Sequence, residues 1–207
     1  MSNLPVVVAI DGQAGTGKSS VSRLLAGELG VPFLNTGVYF RLAALVKARS
    51  GCAIGDLAAE LVRHDLEADG DTGAIDGARV EGALRSPEVT RLLPVVAADA
   101  PVREVILALE RSWVEEAGSA VVEGRDIGTV AFPLAWPKFF LVARDEVRVS
   151  RRPEEGERVL ARDRHDTARE AAPLQAAADA IVIDTSDMAM GEVVERMLLV
   201  IGAAERR

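Results

Sequence analysis

The chain has 207 residues, of which 49% are hydrophobic, 27% charged and only 4% aromatic, and its formal net charge is −8. That length holds one core-forming domain with room for a small insertion, and the composition excludes a disordered chain. The acidic balance and the scarcity of aromatic side chains argue against nucleic acid as a partner, because such binders present a basic face or a stacking platform. A single cysteine, Cys52, excludes an intrachain disulfide and reads as a small buried apolar residue. Residues 1–5 carry no basic leader, and the apolar run 6–10 is too short for a signal core or a spanning helix, so the expectation is a soluble cytoplasmic protein with no membrane partner.

Residues 5–10 form a β-branched apolar run that predicts a fully buried strand. A Gly-rich stretch, 11–19, follows it. Over 19–29 the apolar residues Val21, Leu24, Leu25 and Leu29 recur at helical spacing, with Gly30 as the stop. A second short strand is expected at 31–34 and a helix at 39–49, ended by Ser50-Gly51. Residues 52–83 are polar, rich in Gly and Asp and weakly periodic, which predicts an inserted subdomain of short strands or loops, for instance around 74–80. Helices follow at 87–98 and 101–116, with Pro87 and Pro101 suited to their first turns. A strand at 120–123 runs into Gly124-Arg125-Asp126, and another spans 138–143. The charged stretch 145–164 predicts helix with one break at Pro153, before a strand at 180–184 and a closing helix at 190–204. Strands alternating with helices around one Gly-rich loop predict an α/β fold, an open parallel sheet with helices on both faces and ligands at the carboxyl ends of the strands.

The run Gly12-Gln13-Ala14-Gly15-Thr16-Gly17-Lys18-Ser19 fits G-x-x-x-x-G-K-[ST], between an apolar strand and an amphipathic helix, the context that gives this pattern its meaning. Glycines let the backbone wrap a polyphosphate, and successive N–H groups and the positive helix end face the anion. Residues 12–20, through Ser20, form the expected ATP-contact set. Lys18 reaches the β- and γ-phosphates, and the Ser19 hydroxyl ligates Mg²⁺. A GTPase reading fails because the chain has neither N-K-x-D nor a strand carrying D-x-x-G.

Four polar clusters fall at predicted strand ends or loop edges and define an acceptor side. The first is 35–41, where Thr36 and Arg41 could reach an acceptor phosphate. The others are Arg103, the run 123–129, and Arg162-Asp163-Arg164-His165-Asp166-Thr167-Ala168-Arg169. Arg162, Asp166 and Arg169 are spaced by four and three, which places them on one helix face; a plain helical salt bridge has the same spacing. Phosphoryl transfer needs concentrated positive charge, and guanidinium groups hold acceptor phosphates in a planar, bidentate way. His64 and His165 have no metal-ligand spacing around them and read as structural or surface residues.

These runs together resemble the bacterial cytidylate kinase family of nucleoside monophosphate kinases. The resemblance spans about residues 6–201 and rests on Ile-Asp-Gly-x-x-Gly-x-Gly-Lys at 10–18, Thr-Gly-x-x-x-Arg at 36–41, Leu-Arg-Ser-Pro-Glu-Val at 84–89, Val-Arg-Glu at 102–104, Gly-Arg-Asp-Ile-Gly-Thr-Val-x-Phe-Pro at 124–133 and Arg-Asp-x-x-Asp-x-x-Arg-x-x-Ala-Pro-Leu at 162–174. It implies a P-loop, three-layer α/β/α domain over residues 1–207 with a five-stranded parallel sheet. An inserted NMP-binding subdomain at about 52–100 and a short lid at about 151–165 belong to the same expectation. It further implies Mg²⁺-assisted transfer from ATP to CMP or dCMP by a monomer. Arg41, Arg125 and Arg169 would hold the monophosphate. Arg103 and Asp126 would read cytosine, Asp126 repelling the carbonyl that uracil presents in place of the amine. Asp166 would accept from sugar hydroxyls with Arg162 beside it, and Arg125, Arg162 and Arg169 would join Lys18 around the migrating phosphate.

The chain departs from the family pattern at several places. Pro94 stands where a Ser usually touches the base, Asn35 where Asp is usual, Phe40 where a Tyr precedes the Arg, and Ala14 where the loop usually has a small hydroxyl residue. The lid segment between Arg152 and Arg162 is short; Arg151 and Arg152 are expected to approach the ATP phosphates or to remain solvated. Two rival readings stay open. One is a P-loop kinase of another small phosphorylated acceptor such as UMP. The other is a nucleotide-binding module with weakened catalysis.

Overall fold

The computed structural model describes residues 7–169 and 171–204. The expected strand residues Pro5 and Val6 lie outside the described residues. In chain order the elements are β1 (Val7–Gly12), α1 (Lys18–Leu29), β2 (Phe33–Asn35), α2 (Gly37–Ser50), α3 (Ile54–Leu61), β3 (Leu66–Asp69), β4 (Thr72–Ile75), β5 (Ala78–Arg79), α4 (Glu81–Leu84), α5 (Pro87–Ala98), α6 (Ala100–Ala117), β6 (Ala120–Glu123), β7 (Lys138–Val142), α7 (Asp145–Ser150), α8 (Arg158–Thr167), β8 (Ile181–Asp184) and α9 (Met190–Ala204). A single π-helical turn, Ile127–Ala131, lies between β6 and β7. The chain divides into two compact units, one of Met1–Phe33 with Ala117–Arg207, the other of Leu34–Glu116.

The first unit is built on a five-stranded sheet in the order β2-β6-β1-β7-β8, and the boundary between the units falls within β2, after Phe33. β1 pairs in parallel with β6 on one side and β7 on the other, and β7 pairs in parallel with β8. A central parallel strand is covered on both faces, so β1 is buried at all six positions, as its unbroken apolar run requires. The core joins Val8, Ile10, Val121, Phe139, Leu141 and Ile183 of the strands to Val21 and Leu25 of α1 and Val193, Val194 and Met197 of α9. α1 ends where expected: Gly30 is left-handed and its N–H donates to the Ala26 and Gly27 carbonyls. The charged stretch from 145 resolves into two helices, α7 and α8, separated by turns over 151–157 around Pro153.

The second unit packs α2 along α5, beside the three-stranded antiparallel sheet β3-β4-β5. β4 lies so close to α2 that a Cβ at Gly73 would stand 3.1 Å from the Val38 and Leu42 side chains. Ser86 caps α5 by accepting from the Val89 N–H at 3.3 Å, with Pro87 in the first turn; Pro94 sits inside α5 on an exposed position. The polar stretch 52–83 is more regular than its composition predicts. It holds α3, whose Leu57 and Leu61 are buried one turn apart, too few apolar positions to show as a period. The compact unit also reaches beyond 52–100, because α2 and α6 bury Val38, Leu42, Leu45, Val102 and Ile106 within it. Cys52 is only half-buried, and His64 is tied through Nδ1 to Asp76 at 2.8 Å.

Candidate active site

The Gly-rich loop connects the carboxyl end of β1 to the first turn of α1. Gly12 is obligatory there: its φ is +140°, and a Cβ would overlap the Leu141 carbonyl oxygen and stand 2.7 Å from the Leu141 nitrogen. Inside the loop the Gln13 carbonyl accepts both from Lys18 Nζ and from Thr16 Oγ1, each at 2.8 Å. Burial, then the neighbouring Arg125 guanidinium, pushes the Lys18 ammonium well below its ordinary pKa. Ser19 Oγ donates to Glu123 Oε1 at 2.6 Å from the end of β6. Burial pushes the Glu123 carboxyl up, opposed by Lys18 and by the Ser19 hydrogen bond. A hydroxyl and a carboxylate at this helix start are hard oxygen donors, the chemistry Mg²⁺ selects when it takes its remaining ligands from water and phosphate.

The turn after β6 is held from beneath by Asp11. Its two carboxylate oxygens accept the Ile127 and Gly128 N–H groups, both at 2.8 Å, at the start of the π-helical turn. Burial dominates the Asp11 environment and raises its pKa to about 6, against the lowering effect of those two N–H groups. This pins Arg125 and the buried Asp126 immediately before the turn.

Arg125 extends from that turn in two directions. NH1 donates to the Gly12 carbonyl at 3.0 Å and to Asp163 Oδ1 at 2.8 Å, while Nε stands 3.4 Å from Asp166 Oδ2. Arg169 NH2 meets Asp166 Oδ1 at 2.8 Å. The first unit therefore brings Arg125, Asp166 and Arg169 together. The expected helical face of Arg162, Asp166 and Arg169 holds only for the first two: α8 ends at Thr167, and Arg169 lies past the cap, folding back on Asp166. Arg162 lies on α8 at an exposed position. Arg151 donates to the Thr185 carbonyl at 2.7 Å and to its hydroxyl at 3.0 Å, and that hydroxyl donates to the Thr16 carbonyl at 3.0 Å. Arg152 pairs with Glu155 at 2.6 Å, so Arg151 and Arg152 are both engaged within the protein.

Thr36, Arg41 and Arg103 belong to the second unit. Thr36 is buried at the N-terminus of α2, Arg41 NH1 donates to the Leu84 carbonyl at 2.9 Å, and Arg103 NH1 donates to the Ala97 carbonyl at 3.1 Å while its guanidinium lies 5.3 Å over the Phe40 ring.

Four residues of the site escaped the sequence reading as individuals. Asp11, Glu123 and Asp163 stand inside the runs 10–18, 123–129 and 162–174, so a signal existed. Arg148, on α7, had none beyond being one of many arginines. It is 2% exposed; its Nε donates to the Ala14 carbonyl at 2.8 Å and its NH2 is paired with Asp163.

The fold has counterparts among solved structures. TT1252 from Thermus thermophilus aligns with a TM-score of 0.53 at 21% identity, covering 97% of each chain. Shikimate kinase from Bacteroides thetaiotaomicron aligns at 0.52 and 14% identity, covering 95% of this chain and 98% of its own. Fold and loop together define a P-loop α/β protein. Residues 8–203 match the cytidylate kinase family. The cytidylate kinase of Mycobacterium leprae (strain Br4923) is 42% identical over 93% of this chain and 94% of its own, and that of Syntrophotalea carbinolica is 40% identical over 99% and 94%. The chain belongs to the cytidylate kinase family.

Proposed function

We propose that the protein transfers the γ-phosphoryl group of ATP to CMP and dCMP, giving ADP with CDP or dCDP. An oxygen of the acceptor monophosphate attacks the γ-phosphorus, and the bond to the β–γ bridging oxygen breaks. No general base is required, because the acceptor oxygen is already anionic. The loop amides and Lys18 bind the donor phosphates, and Ser20 and Arg151 flank that site on α1 and at the end of α7. Ser19 and Glu123 would hold Mg²⁺, which when bound neutralises phosphate charge and orients its oxygens. Arg41, Arg125 and Arg169 take the acceptor phosphate, Arg103 and Asp126 the cytosine, and Asp166 with Arg162 the sugar. Unit Leu34–Glu116 serves as the acceptor-binding part and the turns before α8 as a short lid. Family membership supports a cytoplasmic monomer as the working form; among the described residues no helix is long and apolar enough to cross a membrane.

The observation that carries this reading is Arg125. One guanidinium touches the Gly12 carbonyl of the phosphate loop at 3.0 Å and faces Asp166 of the acceptor cluster at 3.4 Å. A cation spanning both is what an in-line transfer between two phosphates needs. The test is coupled ADP release with ATP and Mg²⁺ against CMP, dCMP, UMP, AMP and no acceptor. Turnover with CMP and dCMP far above UMP supports the reading. Equal rates with UMP would refute base reading by Asp126, and acceptor-independent rates throughout would refute the kinase.

A further inference from the structure

Asp163 is one residue after Arg162 and three before Asp166 on α8; it shares Arg125 with Asp166, but its carboxylate also reaches the backbone of the phosphate loop. The Ala14 N–H donates to both its oxygens, at 2.9 and 3.2 Å. Arg125 NH1 donates to Oδ1 at 2.8 Å and Arg148 NH2 is paired with Oδ2. Arg148 Nε in turn donates to the Ala14 carbonyl at 2.8 Å. The peptide groups of Ala14 are thus satisfied by a buried Asp–Arg pair, much as a neighbouring strand would satisfy them, and that pair joins α7 and α8 to the phosphate loop. The two guanidinium groups repel each other, and each is pushed to a lower pKa with burial as the first cause. A carboxylate between them offsets that repulsion before any phosphate arrives.

We propose that Asp163 is a positioning residue for phosphoryl transfer: it anchors the lid-side helix α8 to the donor loop and fixes the Arg125 guanidinium between loop and acceptor cluster. The cations are then organised in advance, and the short lid needs no large closure to deliver Arg162 and Asp166. This rests on the kinase reading for its turnover consequence, but the anchor itself is a property of the free chain.

Two measurements on the full chain test it. In wild type against Asp163→Asn, which keeps the shape and removes the charge, kcat with ATP and CMP is expected to fall by about tenfold to a hundredfold while KM for ATP changes less than about threefold. In Asp163→Ala, amide hydrogen exchange at Ala14 and along α8 is expected to rise by about tenfold or more, because the acceptor for the Ala14 N–H is gone. The double variant Arg148→Met with Asp163→Leu removes the Arg148 charge together with its partner's, leaving no unpaired charge at Arg148, and is expected to show the same kcat loss. A kcat retained within about threefold per folded molecule, with only a lower melting temperature, overturns the proposal in favour of a purely structural role. A fall in KM for ATP with kcat retained also overturns it, because Asp163 would then be competing with the nucleotide. Unchanged exchange at Ala14 and α8 overturns it whatever the acceptor. Raised exchange in Asp163→Ala, beside a wild-type chain that does not phosphorylate CMP, would leave the anchor standing and refute the acceptor assignment instead.

Discussion

The buried Asp11 carboxylate makes a pH-dependent prediction that can be worked through. Its pKa is about 6 in the folded chain against an ordinary 3.8, with burial as the leading cause. A carboxyl whose folded pKa is raised holds its proton longer in the folded state. The associated stability is therefore fully present below the unfolded value and is lost as pH rises through the folded one. Two-state linkage gives a loss of about 1.6 kcal/mol at about pH 5 and about 3 kcal/mol at about pH 8 relative to strong acid. Asp11→Asn cannot ionise and does not suffer this loss. Its single carbonyl oxygen can accept only one of the Ile127 and Gly128 N–H groups well, a pH-independent penalty of about 1–3 kcal/mol. The offset between variant and wild type can thus take either sign, but its slope cannot. Urea unfolding of both chains should show the variant gaining about 1.4 kcal/mol on wild type between about pH 5 and about pH 8. A gap constant across that range would mean that Asp11 is already ionised by about pH 5 and that burial beneath the turn carrying Arg125 and Asp126 does not raise its pKa.

Three further outcomes follow from the same geometry. Gly12→Ala forces a Cβ into the Leu141 carbonyl at a φ of +140° and should destabilise the chain by about 3 kcal/mol or more, read as a melting temperature lower by about 6–12 °C in calorimetry. Glu123→Gln keeps an acceptor for the Ser19 hydroxyl but removes the charge; kcat should fall by about ten- to a hundredfold and the Mg²⁺ concentration for half-maximal rate should rise, in a metal titration of steady-state turnover. Asp126→Asn should lower kcat/KM for CMP by about ten- to a hundredfold and narrow the ratio of CMP to UMP turnover, whereas an unchanged ratio would remove Asp126 from base recognition.

The donor loop was legible in the sequence because everything that makes it is local. An apolar strand, glycines at fixed offsets and an amphipathic helix lie within residues 7–29, and Lys18 bonds Gln13 five residues away. A parallel sheet follows almost as directly, since strands alternate with helices, whereas its order β2-β6-β1-β7-β8 was decided only by the tertiary structure. The insertion was less legible: α3 buries only two leucines one turn apart, and β4 relies on Gly73 to approach α2, neither of which leaves a period. The cluster proposed to bind the acceptor was legible as residue types and runs but not as contacts. A helical spacing of four and three grouped Arg162, Asp166 and Arg169, yet α8 stops at Thr167 and Arg169 reaches Asp166 from beyond its end. The support of the loop was settled only in three dimensions. Arg125, Arg148 and Asp163 meet the loop backbone across 113, 134 and 149 residues of chain. No local propensity encodes such contacts. They form because a parallel sheet brings the carboxyl ends of β1, β6 and β7 to one side, where buried backbone groups and buried charges must find partners in each other.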